Sequence, residues 1–151
     1  MTLPPSDLDL ILSELIERLR NAGKSEQMIL ASWALDCAER VLPFFEENRP
    51  SDPRPWEANE SGRAWIRGEI RVSEARNAAF AAHEAARNAT DPSAVFAARS
   101  AGHAAATAHT TGHAVHAANY AIKAVPIDQK IGERTWQYDH LLELLSDNDT
   151  P

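Results

Sequence analysis

The chain has 151 residues, a formal charge of -7 and a pI near 5.3, with 44% hydrophobic and 25% charged residues. That length and apolar content suit a single domain with one core, and the acidic balance argues against nucleic acid as a partner. Cys37 has no second cysteine to pair with, no apolar run approaches the roughly 20 residues of a membrane span, and MTLPPSDLDLILSEL carries neither a basic n-region nor a cleavage site, so the expectation is a cytoplasmic chain with no membrane partner.

Helix signals succeed one another along the chain. DLDLILSELIERLR spaces leucine and isoleucine at helical intervals, with Ser6 or Asp7 as its cap and Gly23 as its stop. Ser25 opens SEQMILASWALDCAERVL, and Pro43 within the continuing pattern predicts a kink or a break. ENRPSDPRPWEANE, with three prolines, contains a loop, and Asp52 can cap the next helix. Trp56 to Gly68 reads as a helix with Trp65 inward, and Ser73 caps SEARNAAFAAHEAARNA. Asp91 and then Pro92 start another helix, running towards Val125 with an interruption near Thr110 to Gly112, and Pro126 stops it. A last helix covers about 128–146, with Trp136, Leu141, Leu142 and Leu145 inward, before a frayed SDNDTP. No stretch alternates as a strand would. The fold class is all-α: a single-domain bundle or short array of about six helices.

Its centre is a helical hairpin rich in alanine, with about twenty alanines between Ala75 and Ala124. Alanine favours helix and lets axes approach closely, so the leucines and tryptophans of the terminal helices are expected to wrap this hairpin. AAFAAHEAAR (78–87) resembles AVFAARSAGH (94–103), which fits two antiparallel helices with related inner faces.

GHAAATAHTTGHAVHAANY, residues 102–120, raises the question of a metal site. On an unbroken helix His109, His113 and His116 share a stripe, with His103 on a neighbouring face. Residues seven apart are about 10.5 Å apart along the axis, whereas zinc–nitrogen bonds are about 2.0–2.1 Å. One ion therefore takes at most an adjacent pair, such as His109 and His113. Further ligands would come from Asp36, Glu39, His83, His103 or Cys37. HTTGH lacks the glutamate of H-E-x-x-H. The simpler expectation is that these imidazoles hydrogen-bond carbonyls or carboxylates across close helix contacts, with Gly102 and Gly112 making room, and that no metal or cofactor is held.

Other candidates for chemistry are incomplete. Asp36 and Glu39, with Arg40 beside them, could do acid–base work or form a salt-bridged surface. Nothing fixes a base for Cys37. Arg54 and Trp56 belong to a rigid DPRP turn and its exit and have the character of interface anchors, with exposed acids Glu46, Glu47, Glu57 and Glu60 around them. Arg87 and Arg99 should each find a carboxylate among Asp36, Glu39 and Glu84.

Several segments taken together resemble a known family. SWALDCAERVLPFFE (32–46), DPRPWEA (52–58), AWIRGEI (64–70), EARNAAFAAHEAAR (74–87) and AARSAGHAAATAHTTGHAVHAANYAIKAV (97–125) are similar to the Imm5-like immunity proteins of bacterial polymorphic toxin systems. The likeness covers about 30–125 and leaves out the terminal segments. It implies a small helical protein, not an enzyme, that binds and neutralises a cognate toxin by direct contact. The acidic charge would suit a basic toxin such as a nuclease. The alternative is a metal-binding helical domain or metal-dependent enzyme using His109 and His113 with Asp36 or His103.

Overall fold

The computed structural model describes residues 4–148. Among them are seven α-helices and no strand: α1 (Pro5–Arg20), α2 (Lys24–Asn48), α3 (Arg54–Ile66), α4 (Val72–Asn88), α5 (Pro92–Ala106), α6 (His113–Ala124) and, after a short 3-10 turn at Ile127–Gln129, α7 (Lys130–Asn148). The fold is the all-α bundle that the periodicity predicts. None of these helices is long and apolar enough to cross a membrane.

Helix α5 is the axis of the bundle and packs on α2, α3, α4 and α6. Its alanines make this possible: Ala94, Ala97, Ala98, Ala101, Ala104 and Ala105 are all fully buried. Ser100, also buried, donates its hydroxyl to the Ala117 carbonyl of α6 at 2.7 Å, which satisfies a polar group where the axes are close. The large side chains come chiefly from α2. Trp33, Leu35, Val41 and Phe45 are almost wholly buried against the alanine helices. The terminal helices wrap only part of the hairpin: α7 packs on α2 and α6, and α1 on α2 and α7, while α3 covers α4. Trp33 donates its indole N–H to the Gln137 carbonyl at 2.8 Å, and the Gln137 amide donates to Ala118 at 3.0 Å. These two bonds tie α2, α7 and α6 together.

The structure corrects several boundaries. Pro43 does not break α2, which continues through it. The ring sits on the exposed side, where water can replace the missing N–H. Ser6 and Asp7 lie inside α1 and do not cap it; Pro4 is its N-cap. Gly23, at φ 151°, is the N-cap of α2 and does not stop α1, which ends at Arg20. The chain from Pro92 to Ala124 is two helices. Over residues 107–109 the backbone bonds tighten to three residues back, and the Thr107 hydroxyl donates to the Ala104 carbonyl at 2.6 Å. Leu142 points outward and is 41% exposed.

Candidate functional site

Two surfaces gather the residues that the sequence singles out. The first is built on α2, α3 and the loop between them. Glu46 and Glu47 are exposed on the last turn of α2, Glu57 is exposed on the first turn of α3, and Glu60 is half-buried one turn on. Trp56 stands 51% exposed among them. Arg54 does not project as an anchor. Its guanidinium folds back onto Asp52, donating at 2.9 and 2.7 Å, and its backbone N–H donates to the same carboxylate at 3.2 Å. Pro53 is the N-cap residue of α3, so Asp52 is not the expected cap; one residue earlier, it pins the DPRP turn by accepting from the Arg54 backbone and guanidinium. The Arg54 guanidinium holds the Asp52 carboxyl below its usual range.

Beside this surface, Asp36 accepts from Arg63 at 2.9 Å and meets His140 Nε2 at 2.8 Å. Glu39 lies 3.3 Å from the same Arg63. Trp136 stacks on His140 with ring centroids 4.6 Å apart, and Arg40 lies 4.0 Å over the Trp136 ring while donating to Glu133 at 2.7 Å. The Asp36–Glu39 pair is therefore a structural ion-pair network joining α2, α3 and α7. His140 enters it from the last helix, where no motif marks a histidine; Trp136 four residues earlier is the available signal. Cys37 is fully buried, and burial, with Asp36 adding repulsion, pushes its thiol well up, away from the thiolate a nucleophile needs.

The second surface is a histidine seam across α4, α5 and α6. His103 Nδ1 and His113 Nδ1 are 2.9 Å apart, so one ring donates and the other accepts. His103 also lies 4.8 Å from His83, 5.3 Å from His116 and 5.3 Å from Tyr120 by ring centroids. His109 sits in the 107–112 connection and off the helix, 5.1 Å from the His113 ring. The stripe expected of an unbroken helix is thus replaced by a cluster centred on His103. Asp36 is not part of it, being held by Arg63 and His140. Among the described residues no three His, Cys, Asp or Glu side chains are placed to hold one metal ion.

Desolvation dominates the protonation of the seam. Burial lowers His103 to about 3, aided by the neighbouring His83, His113 and His116. Burial and the Arg99 charge lower His83 to about 4. His109 and His113 are lowered as well, again first by burial. These rings are neutral at pH 7. Arg99 lies 3.0 Å from His83 Nδ1, which places an acceptor nitrogen there. Arg99 therefore pairs with an imidazole and not with the expected carboxylate, while Arg87 is exposed and Glu84 faces Arg54 at 3.9 Å.

Gly102 makes room for this seam, as its sequence position implies, but Gly112 does not. A Cβ on Gly102 would lie 2.7 Å from two atoms of the His83 ring. A Cβ on Gly112 would meet only the far end of the flexible Arg20 side chain, at 3.1 Å. Gly102→Ala is expected to cost about 1 kcal/mol as the ring is displaced, and Gly112→Ala to be near neutral. Urea denaturation of the two variants checks this ordering, and equal midpoints would contradict it.

The resemblance in the motifs extends over most of the chain. A family model described as Imm-5 like putative immunity protein matches residues 20–144. The chain belongs to this immunity protein family. The match includes α2 to α6 and most of α7, so the family core reaches beyond 30–125 to the helix that bears Gln137, Trp136 and His140. No curated protein and no solved structure matches the chain.

Proposed function

We propose that the chain protects its producer by binding a protein toxin directly in the cytoplasm, without catalysis, and that the toxin meets the α2–α3 surface. The observation that carries this reading is Trp56, an indole 51% exposed on a helix whose first turn is locked by Asp52 and Arg54. Exposed tryptophan on rigid backbone has the character of an interface hot spot, because it loses little entropy on docking. Glu57 and Glu60 on its own helix, and Glu46 and Glu47 at the end of α2, add negative charge to this surface. They would steer a basic toxin, such as a nuclease, and set the rate of encounter. Arg54 holds the turn that presents the indole.

The test is binding kinetics with the cognate toxin. Trp56→Ala is expected to raise Kd roughly tenfold, mainly by faster dissociation. Reversing Glu46, Glu47, Glu57 and Glu60 to lysine should slow association about tenfold or more at low salt, and less at high salt. Unchanged constants in both variants would remove this surface from the interface.

A further inference from the structure

Outside the toxin-facing surface, the charges of the molecule are unevenly placed. Residues 72–124 carry four Lys or Arg against three carboxylates, whereas the rest of the chain carries eleven against nineteen. The cations of that segment converge on one face. On α4, Arg76, Phe80, His83 and Arg87 keep helical spacing on one flank; Phe80 is 60% exposed and both arginines are exposed. Across from them, Arg99 lies at 3.0 Å from His83. On α6 the spacing brings His116, Tyr120 and Lys123 to the same side, and the Lys123 ammonium lies 5.0 Å over Tyr120 and 5.8 Å over Phe96. The seam of imidazoles fills the space between the three helices. Arg99 contacts His83, and after burial the charges of Arg76 and of Arg99 and Arg87 help to lower His109 and His83, so these three arginines border the seam. Of the three carboxylates of the segment, Glu74 reaches back to accept the Arg71 N–H, Glu84 faces Arg54, and Asp91 is exposed at the N-cap position of α5 with no side-chain capping bond.

We propose that this α4–α6 face docks a carboxylate-rich protein surface, a second partner surface of sign opposite to the first. Guanidinium groups pair with carboxylates through matched donors. Neutral imidazoles add N–H donors that need no counter-charge, and Phe80 supplies an exposed apolar contact. Long nucleic acid suits the face less. Arg76 to Arg87 spans only about 16 Å of helix, short beside a polyanion carrying charge every 1.7 Å or so of duplex, and the chain outside residues 72–124 carries nineteen carboxylates against eleven Lys or Arg. The rings of His103, Tyr120 and Phe96 are also stacked on one another, which leaves them little free face for bases.

The experiment compares a labelled oligoglutamate peptide with a labelled single-stranded RNA of equal charge, by fluorescence anisotropy on the intact chain at about 50 mM and 300 mM salt. The expected result is tighter binding of the oligoglutamate, weakened at high salt. It should weaken about tenfold or more in an Arg76→Glu, Arg87→Glu, Lys123→Glu variant, all three positions being exposed. A Phe80→Ala variant should weaken it less. Circular dichroism and Tm of the variants confirm the fold. The Glu46, Glu47, Glu57 and Glu60 reversals, which test the toxin surface, should leave this binding intact. Tighter binding of the RNA, no oligoglutamate binding in the micromolar range, or unchanged affinity in the triple variant would each overturn the proposal. So would concentration-dependent association of the chain alone that the triple variant abolishes, since a second copy would then occupy the face.

Discussion

Replacing Gly62 with alanine is expected to destabilise the protein by about 2 kcal/mol, although helix propensity alone favours alanine over glycine by about 1 kcal/mol. Gly62 lies inside α3 and is buried against α2. A Cβ there would sit 2.5 Å from Leu35 Cδ2, 3.2 Å from Cδ1 and 3.4 Å from Cγ. With both methyls and the branch point in reach, rotating the leucine exchanges one clash for another. Nor can the leucine retreat, because Leu35 is fully buried in the cluster that holds Trp33 and Leu30. Forcing a methyl into a filled core costs about 1–3 kcal/mol beyond any propensity gain. The displacement would also strain the neighbouring bonds that set α3 on α2, the Asn59 amide to the Leu35 carbonyl at 3.3 Å and Arg63 to Asp36 at 2.9 Å. Urea denaturation should show a lower midpoint with unchanged m, and Tm should fall by about 4–8 °C. Shortening the obstacle in Gly62→Ala/Leu35→Val should recover part of the loss as a favourable coupling. A single variant as stable as the parent would mean that α2 and α3 are not in close register.

The reasons some features are legible in the sequence, and others are not, are physical. Periodicity finds the helices, since burial of one face dictates the spacing of apolar residues. Asp91 and Pro92 locate the start of α5 because a cap and then a proline have one dominant use. Pro43 does not mark a break, because a proline on the solvent side of a long, well-buried helix costs less than breaking the packing of Val41, Leu42 and Phe45. The histidines show a different limit. Spacing along one helix places His109 with His113 and sets His103 aside. The close neighbour of His113 instead comes across the α5–α6 turn, where ten residues of sequence separate two nitrogens 2.9 Å apart. Alanine content announces close packing without indicating which helices approach. That α5 is the axis, with α2 supplying the bulk, depends on tertiary contacts that no local pattern encodes. Arg54 has the look of an anchor because its position in the turn is legible, while its fold-back onto Asp52 is not.

The histidine seam should make the protein lose stability in mild acid, before its carboxylates are involved. An unfolded histidine titrates near 6.5, whereas His83 and His103 are lowered to about 4 and about 3 in the fold. A lowered value means that the fold binds its proton more weakly than the unfolded chain does, so stability is intact above pH 6.5 and falls as pH drops through the window towards 4 and 3. His109 and His113, also lowered, act in the same direction. At pH 5 each fully shifted histidine forfeits about 2 kcal/mol, since tenfold in proton affinity is worth about 1.4 kcal/mol. The two together should cost about 2–4 kcal/mol, the lower figure allowing for solvent screening of half-buried rings. The carboxylates whose values are lowered, Asp52 and Glu69, contribute their losses below their ordinary values of 3.8 and 4.5. The interval from pH 7.5 to 5 therefore isolates the imidazoles. Urea midpoints should fall steeply across it in the parent and much less in a His83→Gln/His103→Gln variant, whose amides can keep hydrogen bonds without taking up a proton. A flat profile in the parent would show that the rings are open to water. An equally steep one in the variant would move the acid sensitivity to other groups, His109 and His113 first.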